Sequence, residues 1–131
     1  GWGVADEHEI TDDDIYLNNT MEYAGTYSMT VRDGSNITAN ISTTGYGGVT
    51  LFYNAMGYSL EGSERFRVYW RVGSGSWTQL ESITDGVPWA PSEWSLTGAD
   101  NQQLIQVRFF LFGGNTDYGL LDNFNVTATA L

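Results

Sequence analysis

Residues 63–72, SERFRVYWRV, change character at every second position. In an extended chain Phe66, Val68 and Trp70 fall on one side, and Arg65, Arg67, Tyr69 and Arg71 on the other. Residues 103–112, QLIQVRFFLF, repeat the pattern, with Ile105, Val107, Phe109 and Leu111 opposed to Gln106, Arg108, Phe110 and Phe112. A period of two belongs to a β-strand, and a strand with one apolar side must bury that side. The second side stays outward, and here it carries guanidinium groups and rings. Two such strands predict a sheet with one face in the core and one face available for binding. No long stretch shows the 3.6-residue period of a helix, so the chain is predicted to consist of strands alone.

The remaining segments fit that prediction. Strands are expected over 23–32, 36–42, 48–58, 76–81, 93–97 and 117–128, beside the two above. Turns punctuate them at Asp33-Gly34-Ser35, Glu61-Gly62-Ser63 and Gly73-Ser74-Gly75. The 48–58 strand is apolar on both sides, which leaves its facing open. Residues 85–92, DGVPWAPS, hold both prolines and read as an irregular loop carrying Trp89. Six acids crowd into 6–14, so the first 20 residues read as an acidic, solvated arm or a first strand. With 131 residues the chain fits a single domain with one core. The prediction is all-β: an antiparallel two-sheet β-sandwich of about nine strands.

Charge and composition narrow the function. Sixteen acids against five bases give a formal charge of -11, and all five bases are Arg. That balance argues against nucleic acid or an anionic membrane surface as partner. It is compatible with calcium, a hard cation that takes oxygen ligands. The chain has no Cys and one His, His8, which excludes a zinc site or a nucleophilic triad. No apolar run approaches the roughly 20 residues that span a bilayer. The first residue is Gly1 rather than Met, which reads as a piece of a longer protein. Sequons at Asn18, Asn36, Asn40 and Asn125 matter only in a eukaryotic secretory host.

Several segments resemble a known superfamily. Residues 23–29, YAGTYSM, are similar to a strand found in many bacterial jelly-roll accessory domains. Residues 48–58, the Phe66–Leu80 stretch with Gly75-Ser76-Trp77-Thr78, and the closing LDNFNV of 121–126 resemble further strands of those domains. Together they cover most of 23–128. The chain thus resembles the galactose-binding-like, MAM-like jelly rolls, which include carbohydrate-binding modules of secreted glycan-degrading enzymes. The resemblance implies a jelly-roll sandwich, often with a structural calcium near the first and last strands. Asp122 matches the family's metal-binding acid in the closing strand. Asn123 stands where the family usually has a second acid. Glu7 and Glu9 are the candidate partners from the start of the chain.

Sugar recognition needs rings that stack on C–H faces and planar side chains that bond hydroxyls. If the two long strands are neighbours, Arg67, Tyr69, Gln106, Arg108 and Phe110 converge on one face. Asn54 and Tyr58 are candidates to join from a third strand, and Trp89 from its loop. Trp70 shares the core phase of its strand, and Trp77 and Trp94 are expected to be buried. Arg matches carboxylate and sulfate geometry in bidentate fashion, which suits an anionic glycan such as a uronate or sulfated polysaccharide; the alternatives are a neutral sugar or ion pairing inside the domain. The expected protein is a non-catalytic, lectin-like carbohydrate-binding module, secreted or at the cell surface, that ties an attached enzyme to a polysaccharide or oligosaccharide. The alternatives are an adhesin or protein-interaction sandwich, and a small glycan lyase or hydrolase. A plain solvated face with its arginines paired to acids would fit none of these.

Overall fold

A computed structural model of the chain describes residues 2–4, 15–18, 28–31, 36–84, 90–113 and 117–131. Ten strands run through them: β1 (Trp2–Val4), β2 (Ile15–Asn18), β3 (Ser28–Val31), β4 (Asn36–Ile41), β5 (Tyr46–Tyr58), β6 (Arg65–Val72), β7 (Thr78–Ile83), β8 (Ala90–Ser95), β9 (Ile105–Phe112) and β10 (Tyr118–Ala130). They form two five-stranded sheets, ordered β1-β4-β9-β6-β7 and β2-β3-β10-β5-β8. Every neighbouring pair is antiparallel. The all-β, two-sheet sandwich expected from the alternation is the observed architecture, and among the described residues there is no helix.

The core lies where the period-two pattern puts it. Phe66, Val68 and Trp70 of β6, and Ile105, Val107, Phe109 and Leu111 of β9, are buried. From the second sheet Leu51, Tyr53 and Ala55 of β5 and Leu121 of β10 meet them. Phe109 sits at the centre: its ring lies 5.1 Å from Tyr53, 6.1 Å from Phe124 and 6.2 Å from Phe66. Gly119 of β10 admits the Phe66 ring, because a Cβ at Gly119 would stand 2.3 Å from a ring carbon. A side chain there would have to displace an aromatic with nowhere to go.

The β5 facing that the sequence left open is settled by pairing. Val49, Leu51 and Tyr53 point inward, whereas Phe52, Asn54, Met56 and Tyr58 take the outer side of the second sheet. The N-terminal stretch takes the strand alternative where it is described, and one loop is shorter than expected. The N-terminal stretch is not only an arm: β1 pairs with β4 and β2 with β3, each extending a sheet edge. The dense acids between them hid two short apolar runs, WGV and IYL. The loop over 85–92 also ends early, since Ala90, Pro91 and Ser92 belong to β8 and pair with Ala55, Asn54 and Tyr53. Strand β8 is a sheet edge, the position that tolerates proline.

A partly buried polar link ties the two sheets together. Glu81 of edge strand β7 lies opposite Val68 and therefore faces inward. The Tyr53 hydroxyl donates to Glu81 Oε1 at 2.6 Å, Ser92 Oγ donates to the same oxygen at 3.1 Å, and Trp94 Nε1 donates to the Tyr53 hydroxyl at 3.0 Å. Burial, and then the bond to Glu81, push the Tyr53 phenol above its ordinary value. Phenylalanine at Tyr53 leaves the Trp94 N–H and one Glu81 bond unmade, so unfolding should become easier by about 1–3 kcal/mol. The raised pKa also fixes a sign. The unfolded phenol loses its proton first, so stability is intact below the ordinary tyrosine pKa of 10.0 and falls as pH climbs above it. Melting temperatures of wild type and Tyr53→Phe between about pH 8 and pH 11 check this, because the variant should lose less over that range.

Candidate functional site

The outer face of the first sheet is built by three adjacent strands, β4, β9 and β6. Register sets their outward side chains in rows. Arg71 lies opposite Gln106, which lies opposite Asn40; Tyr69 opposite Arg108 and Thr38; Arg67 opposite Phe110 and Asn36; Arg65 opposite Phe112. None of the three strands contains an Asp or Glu, and β6 and β9 together hold four of the chain's five Arg. In a chain of charge -11 this is a sharp local reversal of sign.

A cavity of about 180 Å³ opens on this face, lined by Tyr69, Trp77, Arg108 and Phe110. Trp77 is its distinctive wall. The guanidinium carbons of Arg71 and Arg108 each lie 4.2 Å from the Trp77 ring centroid, in cation–π contact. Neutral partners hold both arginines in place. Arg71 Nε donates to Gln106 Oε1 at 2.7 Å, Gln106 Nε2 donates to Asn40 Oδ1 at 2.7 Å, and Arg108 Nε donates to Thr38 Oγ1 at 3.2 Å. Among the described residues no carboxylate is paired with either one. Burial, and secondly the positive charge of Arg71, hold the Arg108 guanidinium below its ordinary value. A guanidinium titrates so far above neutral pH that Arg108 stays charged. Two cations thus share one indole, and among the described residues neither is ion-paired. Farther along, Arg67 lies over the Phe112 ring at 5.8 Å, and Phe112 is 47% exposed. Arg65 is held elsewhere, donating to the carbonyls of Gly62 and Glu64.

Of the residues singled out in the sequence, Tyr69, Arg108 and Phe110 meet at the cavity, and Arg67 and Gln106 flank it. Asn54 and Tyr58 do not join them, because β5 belongs to the other sheet. Asn54 is only 6% exposed there; its Oδ1 accepts from Asn123 Nδ2 at 3.2 Å, and among the described residues its own Nδ2 has no partner. Tyr58 stacks on Tyr118 with centroids 5.5 Å apart. Trp89, Glu7 and Glu9 lie outside the described residues. Asp122 pairs with Asn54 across the strands, and its Oδ1 accepts the Asn123 N–H at 2.8 Å. Asn123 itself takes a left-handed conformation, φ 54°, at a bulge in β10.

Trp70 is buried as expected, and Trp94 turns its N–H to the interior. Trp77 is the residue the sequence reading missed, having been expected in the core. A signal was present. Trp77 and Leu80 are an odd number of residues apart, so a continuing strand puts them on opposite sides. Leu80 packs against the core, which leaves Trp77 outward. Among the described residues, larger cavities of about 270 Å³ beside Gly48, Thr97 and Asp100 and about 220 Å³ beside Ile41, Thr43 and Tyr46 also open. Neither combines several rings with a cation.

Comparison with known proteins supports the architecture. No family model matches the sequence. No curated protein matches it either. Solved structures do match in fold. The carbohydrate-binding module TmCBM61, solved with β-1,4-galactotriose, superposes with a TM-score of 0.70 at 13% identity, covering 98% of this chain and 88% of that one. The CBM22-1 xylan-binding domain of Paenibacillus barcinonensis Xyn10C gives 0.62 at 16% identity, covering 100% and 87%. The Clostridium thermocellum xylanase 10B fragment with CBM22-1 and GH10 modules, in complex with xylohexaose, gives 0.56 at 15% identity; the match covers 99% of this chain and 26% of that one. The protein therefore has the jelly-roll fold of carbohydrate-binding modules. At these identities the likeness is one of fold, and the argument for a function rests on the site.

Proposed function

We propose that the protein is a non-catalytic carbohydrate-binding module that holds a polysaccharide on the outer face of β4, β9 and β6. One observation carries the reading: a cavity walled by Tyr69, Trp77 and Phe110 with the Arg108 guanidinium among them. Rings give flat apolar surface for the C–H faces of a sugar, and a planar cation bonds its oxygens. The preferred ligand is an acidic polysaccharide. Arg71 and Arg108 offer two fixed forks of donors that no acid among the described residues satisfies, which suits a carboxylate or sulfate. The module acts as part of a secreted multidomain enzyme, where binding raises the effective concentration of a catalytic domain at its substrate. Support for attachment comes from the matched xylanase, in which a module of this fold shares a chain with a GH10 module. Among the described residues no helix is long and apolar enough to cross a membrane.

Affinity electrophoresis against neutral and acidic polysaccharides tests this. Retardation in gels containing an acidic polysaccharide, with no release of reducing ends, is the expected result. Free migration through every glycan overturns the reading, and release of reducing ends makes the protein an enzyme.

We also propose a structural calcium ion held by Asp122 with Glu7 and Glu9. In this reading Asp122 supplies one carboxylate, and among the described residues there is no group of three or more acids or histidines able to hold a metal. The ion therefore depends on Glu7 and Glu9 for its remaining charge, and hard carboxylate oxygens are the donor type calcium takes. An ion bound to the native state alone must stabilise it. Saturating calcium should raise Tm by several degrees, chelator should reverse the rise, and Asp122→Ala should abolish it. A Tm indifferent to calcium removes the metal from the account.

A further inference from the structure

The Trp77 cluster and cavity do not use all of the acid-free face. Beyond Phe110 the outward row continues to Phe112, nearly half exposed, with the Arg67 guanidinium 5.8 Å from its ring. From Arg108 to Phe112 is four residues of extended β9, or about 13 Å along the strand. The same pairing of cation and ring thus recurs on one face at two separated places. Between them stand Tyr69 and Phe110, both uncharged. No acid interrupts the strip, because β4, β6 and β9 contain none. Arg65, the remaining cation of β6, is committed to the Gly62 and Glu64 carbonyls and stays outside it.

From this layout we infer that Arg67 and Phe112 form a second anion-binding subsite. The ligand is then a linear glycan with acidic groups at repeated intervals, lying along β6 and β9 and engaging both guanidinium clusters at once. This rests on the carbohydrate-binding reading above. A ligand with a single acidic group satisfies the Arg71–Arg108 pair and leaves Arg67 unused. A chain with repeated acids reaches both ends, with its uncharged ring surface over Tyr69 and Phe110. Two linked contacts then act as one multivalent ligand, so affinity should climb with chain length until both ends are filled.

Titration calorimetry with oligogalacturonides from dimer to hexamer tests the inference, using the whole chain. Wild-type affinity should rise steeply with length. Phe112→Ala and Arg67→Gln should each weaken hexamer binding about tenfold and flatten that rise. Tyr69→Ala, in the cavity, should instead weaken every length. Phe112 is exposed, so its replacement leaves the fold intact, and the melting temperature verifies that. A hexamer that binds Phe112→Ala and Arg67→Gln as tightly as wild type overturns the second subsite. So does a protein that binds neutral glycans but no oligogalacturonide, although sugar binding itself then stands. Failure to bind any glycan overturns both readings.

Discussion

Alanine at Phe109 is expected to lower the free energy of unfolding by about 3–5 kcal/mol, the range for emptying a fully buried aromatic site. Alanine at the next residue, Phe110, should leave stability within about 1 kcal/mol and weaken glycan binding instead. The two side chains are identical and adjacent, so nothing but direction separates them. Phe109 is fully buried and touches the rings of Tyr53, Phe66 and Phe124 from both sheets. Its removal opens a void between the layers that the flanking strands cannot close without breaking register. For a domain of this length the loss corresponds to roughly 10–25 °C in Tm. Phe110 lines the outer cavity and lies between Arg67 and Asn36 in register. Urea unfolding of both variants, with affinity measured well below the lower Tm, gives the comparison. Equal losses of stability would show that β9 does not separate core from face as described, and the site would lose its foundation.

The directions of Phe109 and Phe110 were readable from the sequence, and the reason is physical. An alternating strand carries its own facing, because a shift of one residue exchanges every side chain between oil and water. For β6 and β9 the apolar set is unambiguous, so the core, the outer arginines and their shared face all follow. Strand β5 shows where that logic stops. Phe52, Met56 and Tyr58 lie outward while Val49, Leu51 and Tyr53 lie inward, so neither side is clearly polar. The sheet to which β5 belongs is decided by pairing with β8 and β10, far off in sequence, and Asn54 and Tyr58 went with it. Trp77 was obscured differently. It precedes the first residue of β7, so its side could be read only by extending the alternation from Leu80 back past the start of that strand. The short N-terminal strands had too few alternations to stand out from the surrounding acids.

Alanine at Trp77 should weaken binding to an acidic polysaccharide by about 30-fold or more, the scale of a buried aromatic anchor. The indole does more than present a ring to the ligand. It is the shelf on which the guanidinium groups of Arg71 and Arg108 both rest at 4.2 Å. Without it, two like charges lose the quadrupole that holds them together, and each must be re-ordered when the ligand arrives. Arg108→Lys should then be informative. It keeps the charge but loses the planar fork and the stacking, so a loss of about tenfold means that geometry matters beyond charge. Arg108→Gln should reduce the slope of affinity against salt as well, because one fewer cation faces the acidic chain. Neither Arg108 variant should cost much stability, since each acts on a surface cation that sits beside another cation. If Trp77→Ala, Arg108→Lys and wild type bind acidic and neutral polysaccharides alike, at every salt concentration, the guanidinium pair has no part in recognition. The rings of Tyr69 and Phe110 would then have to select a neutral sugar by shape, and the absence of acids from three neighbouring strands would need another cause.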